Sequence, residues 1–358
     1  MSEFTIGNRT IGIDHPTYFI ADIAANHDGS LDRALHLMTL AAEAGADCAK
    51  FQHFRAETIV SDYGFKALGG QLDHQATWEK SVFEVYEEAR LPWEWTPELS
   101  RHSDELGIDF MSAPYELAAV DHLDPFSKAF KIGSGDVNWI EELEYVATKG
   151  KPVFLATGAS TIEDVDRAVA VFQTAGNPLC VMQCNTNYTG SIENLHYVNL
   201  NVLNQYRQRY PDAILGLSDH TPGHITVLGG VALGARAIEK HFTDDTTRTG
   251  PDHGFSLDPT AWRDMVDATR ILEAALGNGI KDIEENERQT SVLQRRCVRA
   301  ARDLPAGTVI SREDLVVLRP APEGSVPAQE LATLIGSTMN RDLIAGQALT
   351  DLGALRRA

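Results

Sequence analysis

YFIADIAANHDGSLDRALHLMTLAAEAGADCAKFQ, residues 18–52, reads as a strand, a helix and a second strand in succession. YFIADIA (18–24) is an apolar run of strand length rich in aromatic and β-branched residues. LDRALHLMTLAAEAG (31–45) sets Leu31, Ala34, Leu35, Met38 and Ala41 on one stripe at helical spacing. CAKFQ (48–52) returns as a strand. A helical crossover between two strands makes them parallel neighbours.

The same alternation runs on through DFMSAP (109–114), AFKIGS (129–134), VFLATG (153–158), LCVMQCN (179–185), ILGLSD (214–219) and AIEKHFT (237–243). Helical signals lie between them. STIEDVDRAVAVFQTAG starts with Ser160 and Glu163 in capping-box spacing and stops at Gly176. DPTAWRDMVDATRILEAALG has Asp258 as a cap and Pro259 at the first helical position. Eight β–α repeats over this length predict an α/β fold, a (β/α)8 TIM barrel. A doubly wound sheet is the rival, but no Gly-rich nucleotide fingerprint follows the first strand. The predicted boundaries are 1–279 for the barrel, 280–293 for a polar linker (IKDIEENERQTSVL) and 294–358 for a small, mainly β domain.

The 358 residues carry a formal net charge of -20, which argues against nucleic acid and anionic membranes as partners. The longest apolar runs are strand-sized, and MSEFTIGNRT has no basic stretch leading into an apolar one, so a cytoplasmic protein is expected. Cys48, Cys180, Cys184 and Cys297 show no CxxC spacing and are expected as buried, reduced thiols.

Polar residues interrupt the apolar strands mainly at their C-terminal ends, which in a (β/α)8 barrel converge on the active face. These ends offer Asp22, then Lys50 and Gln52, then Lys131, Ser134 and Asp136, then Thr157. Later strands add Asn185 and Tyr188, Ser218 and His220, and Glu239 and His241. Two lysines in the mouth of an acidic barrel are costly to bury unless anions neutralise them, so Lys50 and Lys131 read as phosphate and carboxylate binders. The other reading is an ion pair with a barrel carboxylate. His220 and His241, on adjacent strand ends, can share one divalent cation and leave positions open for substrate. Manganese, cobalt and zinc all suit such donors.

ADIAANHDG (21–29), KFQ (50–52), KIGSGD (131–136), ATG (156–158), GLSDHT (216–221), EKHFTDD (239–245) and GPDHGFSL (250–257) resemble, in order, the motifs of the sialic acid synthases, which include N-acetylneuraminate, legionaminate and pseudaminate synthases. RRCVRAARDLPAGTVI and VVLRP are similar to their C-terminal SAF domain, an antifreeze-like β-clip fold. The resemblance implies condensation of phosphoenolpyruvate with an open-chain amino-sugar aldehyde. It implies manganese on His220 and His241. Phosphoenolpyruvate would be held by Lys50, Lys131, Ser134 and the turn at Thr157, and the sugar by Gln52, Asp136, Tyr188 and Asp252. It also implies a domain-swapped homodimer in which Arg319 reaches the partner's site. Asp22, the candidate acid–base group, and Asp136 stand where such synthases usually carry glutamate, and Ala113 where they commonly carry threonine. Rival readings are a synthase acting on a phosphorylated aldose and a non-catalytic sugar-binding descendant.

Overall fold

The first ordered element is a hairpin that the sequence did not announce: β1 (Glu3–Ile6) and β2 (Arg9–Gly12), antiparallel. The eight apolar runs follow as β3 (Tyr18–Asp22), β4 (Cys48–Gln52), β5 (Asp109–Ala113), β6 (Phe130–Ile132), β7 (Val153–Ala156), β8 (Leu179–Cys184), β9 (Ile214–Asp219) and β10 (Ala235–His241). In this computed structural model, which describes residues 3–69, 71, 75–76, 78–350 and 355–356, β3 to β10 close a parallel barrel through β10 and β3. Most predicted strands shorten by one or two residues at the C-terminal end, where the chain leaves the ladder to form the mouth.

The barrel is filled from below. Phe4, Ile6 and Ile11 of the hairpin cluster with Tyr18, Ile20, Met111, Phe154 and Met182, and Phe4 meets Phe154 edge-on at 5.9 Å. This apolar plug leaves the opposite end for chemistry. A second, larger core lies between strands and helices. The helix Leu31–Glu43 contributes Ala34, Leu37, Met38 and Ala41 to it. The helix Ile162–Ala175 is capped by Thr161 and Asp164, each accepting from the other's backbone, one residue after the predicted pair. Asp258 caps the helix Pro259–Leu276 as predicted. All four cysteines are buried and unpaired.

The connection from β4 to β5, residues 53–108, is far longer than a βα unit needs. Among the described residues it carries three short α-helices, Ala56–Ile59, Asp62–Ala67 and Val82–Ala89, before the barrel helix Thr96–Leu106.

The chain divides into two compact units, Met1–Gly277 and Asn278–Ala358. In the second, a short helix (Arg288–Gln294) precedes β11 (Cys297–Ala300), β12 (Leu315–Leu318), β13 (Thr338–Met339) and β14 (Leu355–Arg356). β11 pairs with β12 and β13 with β14, both antiparallel. Val298, Leu304, Ile310, Leu315, Leu334 and Leu343 are among the residues of its own core. No helix among the described residues is long and apolar enough to cross a membrane.

Candidate active site

Parallel register sets the site. Asp22 of β3 lies beside Lys50 of β4 on one side and His241 of β10 on the other. These ends open into a cavity of about 380 Å³. Every predicted site residue lines it except Thr157, Asn185 and Arg319.

Both lysines are buried and both meet carboxylates. Lys50 donates to Asp22 and lies 3.7 Å from Glu239; Lys131 lies 3.1 Å from the same Glu239 oxygen, which also accepts from Ser218 at 3.1 Å. Ion pairing and anion binding are therefore not exclusive: Asp22 and Glu239 are the partners that an anion would replace. Burial opposes charge on Lys50, but Asp22 and Glu239 outweigh it and raise its pKa. Burial likewise works against the Asp22 carboxylate, yet Lys50 and His241 hold it down at about 2. Gln52 adds a hydrogen bond to Asp22 at 3.2 Å. Asp22 is thus a fixed anion at neutral pH, poorly suited to donating a proton.

Two other carboxyls are suited. Burial pushes Asp136 up to about 6, against the opposing pull of Lys131. Burial also raises Asp252 to about 6, although its Oδ2 accepts from the Ala25 backbone at 3.0 Å.

The rings of His220 and His241 lie 5.4 Å apart, with Tyr188 and Phe255 against both. His220 Nδ1 donates to the Asn185 carbonyl at 3.1 Å, which leaves Nε2 as the ring atom that could ligate a metal ion. So Asn185 acts through its backbone, while its amide reaches the Tyr197 carbonyl. His241 has a buried Nδ1 without a hydrogen-bond partner, and its Nε2 lies 3.4 Å from Asp22. Burial depresses its pKa to about 3, so it stays a neutral donor. An orphaned imidazole nitrogen and a ring oriented by a carbonyl fit a divalent ion held by this pair. Among the described residues no group of three or more His, Cys, Asp or Glu side chains could hold one.

The turn after β7 closes the far side. Gly158 donates its N–H to Ser134 Oγ at 3.0 Å, and a Cβ there would run into Thr186 Oγ1. The Thr157 hydroxyl turns away from the cavity, donating to the Met182 carbonyl and accepting from Tyr206.

Residues 37–281 match the NeuB family, and residues 295–352 match the SAF domain. The chain belongs to the NeuB family. It is 34% identical to the N,N'-diacetyllegionaminic acid synthase of Legionella pneumophila, over 96% of each chain. It is 32% identical to the human N-acetylneuraminate-9-phosphate synthase, over 92% of this chain and 90% of the human one. The solved structure of the spore coat polysaccharide biosynthesis protein SpsE of Bacillus subtilis matches it with a TM-score of 0.65 and 30% identity, covering 97% of this chain and 98% of that one.

This NeuB-family site has members that the motifs did not single out. Cys184 lines the cavity. Burial opposes charge on both Cys184 and His220, yet their mutual interaction, joined by Ser134 and Lys131 at the thiol and by the Asn185 carbonyl and Asp219 at the imidazole, together outweighs it, lowering the thiol and raising the imidazole. Phe54, Val85, Tyr86 and Tyr115 form an apolar wall from the long β4–β5 connection and the turn after β5. Tyr115 holds φ 55°, an uncommon backbone for a bulky residue. The length of residues 53–108 was the one signal for this wall. Arg319 is exposed just beyond β12, in the second unit.

Proposed function

We propose that the chain condenses phosphoenolpyruvate with the open-chain form of an acetamido-hexose, giving a nonulosonic acid and phosphate. The observation that carries this is the pair of buried lysines sharing Glu239 beside two histidines at one barrel mouth. Such a site offers cations to a doubly anionic substrate and, next to them, a place for a carbonyl.

In the reaction, C3 of phosphoenolpyruvate attacks the aldehyde carbon and forms the new carbon–carbon bond. The aldehyde oxygen takes a proton. Water adds to C2 and gives up one proton; cleavage of the C2–O bond then expels phosphate, which takes the remaining hydroxyl proton, and leaves the keto acid. Lys50 and Lys131 neutralise the substrate's anionic groups, taking them on as partners in place of Asp22 and Glu239; preorganised charges of this kind are usually a large part of catalysis. Ser134 Oγ and the Gly158 N–H complete the phosphate side. Asp136 and Asp252, both near 6, carry protons to the aldehyde oxygen and from the attacking water. Asp22 orients Lys50 and Gln52. His220 and His241 would hold a divalent ion, manganese first, with cobalt and zinc as alternatives, which when bound supplies Lewis-acid polarisation of the aldehyde. The apolar wall of Phe54, Tyr86 and Tyr115 suits the methyl groups of N-acetyl substituents.

Working as a domain-swapped homodimer, the chain would place Arg319 over a second copy's barrel mouth. Four unpaired thiols fit the reducing cytoplasm as its compartment. The human relative bears the name of a phosphorylated product, so the acceptor panel must include phosphorylated sugars. The test is mass spectrometry of products formed from phosphoenolpyruvate, manganese and a panel of acetamido-hexoses with and without a 6-phosphate. A three-carbon extension of an unphosphorylated acetamido-hexose is expected. Extension of phosphorylated aldoses alone would contradict the proposed acceptor.

A further inference from the structure

On the outer side of β9 and β10 lies a buried polar cluster that the reaction does not use. Side chains alternate along a strand, so Glu239 and His241 face the cavity while Lys240, between them, faces the helix layer. On β9, Ser218 faces inward and Asp219 outward, in register with Lys240. Nζ of Lys240 donates to Asp219 Oδ2 at 2.5 Å and to the Thr221 carbonyl at 2.6 Å. Those two acceptors belong to the residues on either side of His220. Asp219 also accepts from the Thr221 hydroxyl at 2.9 Å and from the Thr226 hydroxyl at 2.7 Å, in the first turn of the helix Ile225–Ala232. Asp219, Thr221, Thr226 and Lys240 are all buried. One ammonium, on the residue before His241, thus holds the side chain of the residue before His220 and the backbone carbonyl of the residue after it.

We infer that Lys240, with Asp219 and Thr226, is a positioning set that fixes His220 relative to His241 and thereby sets the affinity of the pair for a divalent ion. The inference rests on the two-histidine metal reading above. A buried ion pair is a poor source of stability, because desolvation cancels much of the attraction and apolar replacements are often equally stable. Its contribution here is directional. Two charge-assisted bonds from one nitrogen leave the strand ends little freedom to slide, and with only two protein ligands a small displacement of either ring is felt in full. Groups that orient ligating histidines typically change metal affinity by about 10- to 100-fold.

The test is manganese binding to chelator-stripped, full-length protein, read by the electron paramagnetic resonance of free Mn²⁺, with metal-free phosphoenolpyruvate binding measured in parallel by calorimetry. The double variant Asp219→Asn/Lys240→Met removes both charges without orphaning either. It is expected to fold, to bind phosphoenolpyruvate like wild type, and to bind Mn²⁺ about 10-fold or more weakly. Thr226→Val should weaken Mn²⁺ binding in the same direction, and Thr226→Ser should restore it. Wild-type Mn²⁺ affinity in the folded double variant, or equal affinities in the Thr226→Val and Thr226→Ser proteins, would overturn the inference while leaving the histidine site standing. No Mn²⁺ binding by the wild-type chain would overturn the metal reading itself, and the inference with it.

Discussion

Glu142 shows how strongly burial governs single residues near the mouth. It is 1% exposed on the first turn of the helix Ile140–Ala147, and its Oε1 has no hydrogen-bond partner. Burial, aided by the negative charge of Asp136, pushes its carboxyl up from 4.5 to about 8. Between those values the folded state keeps a proton that the unfolded chain has released, so this group's contribution to stability declines as pH rises from 4.5 through 8. Glu142→Gln mimics the protonated form. Denaturant unfolding should show it close to wild type at pH 5 and more stable, by a few kcal/mol, at pH 9. An equal change at both pH values would contradict a protonated Glu142. Asp22 is the opposite case. Its folded pKa of about 2 lies below the ordinary 3.8, so its contribution is present above 3.8 and is lost as pH falls through 2.

At the scale of elements, the eight barrel strands were legible because each is a short apolar run bounded by polar residues, and the polar residues at their C-terminal ends became the site. The hairpin β1–β2 was not legible. Its buried Phe4 and Ile6 alternate with Glu3 and Thr5 over only four residues, too brief a pattern to separate from a loop. The helices of residues 56–89 were missed for a related reason: they are one or two turns long, and several of their apolar side chains face the cavity, so no clean stripe appears. Thr157 and Asn185 lie at the expected strand ends, but whether their side chains enter the cavity depends on tertiary partners, Tyr206 and Tyr197, that sequence order does not reveal. The turn after β7 gives an element-scale prediction. A Cβ at Gly158 would collide with Thr186 Oγ1 and lie 2.9 Å from Ser134 Oγ. Gly158→Ala should therefore destabilise the protein by about 1–3 kcal/mol through overpacking, and raise KM for phosphoenolpyruvate more than KM for the sugar. Thermal melts and steady-state kinetics check both. An unchanged KM for phosphoenolpyruvate would detach this turn from the phosphate side.

Across the whole molecule, a net charge of -20 makes the two lysines of the mouth conspicuous: the barrel interior offers cations where the molecule as a whole carries an anionic excess. The second unit has its own core. Its proposed role is to supply Arg319 to another copy. Arg319→Ala and Lys131→Met should each be inactive, while a refolded mixture should regain activity, because a swapped mixed dimer contains one site free of both changes. A mixture as inactive as its components would argue against the exchange.

In the proposed metal-assisted condensation the sugar gates phosphate release. The most direct measurement is phosphate release from phosphoenolpyruvate by chelator-treated enzyme, with acetamido-hexose and Mn²⁺ added separately and together, for wild type, His220→Ala and His241→Ala. Release is expected from wild type only when both are present, and none from either variant although both remain folded. Phosphate released without sugar, or undiminished in either histidine variant, would contradict this mechanism.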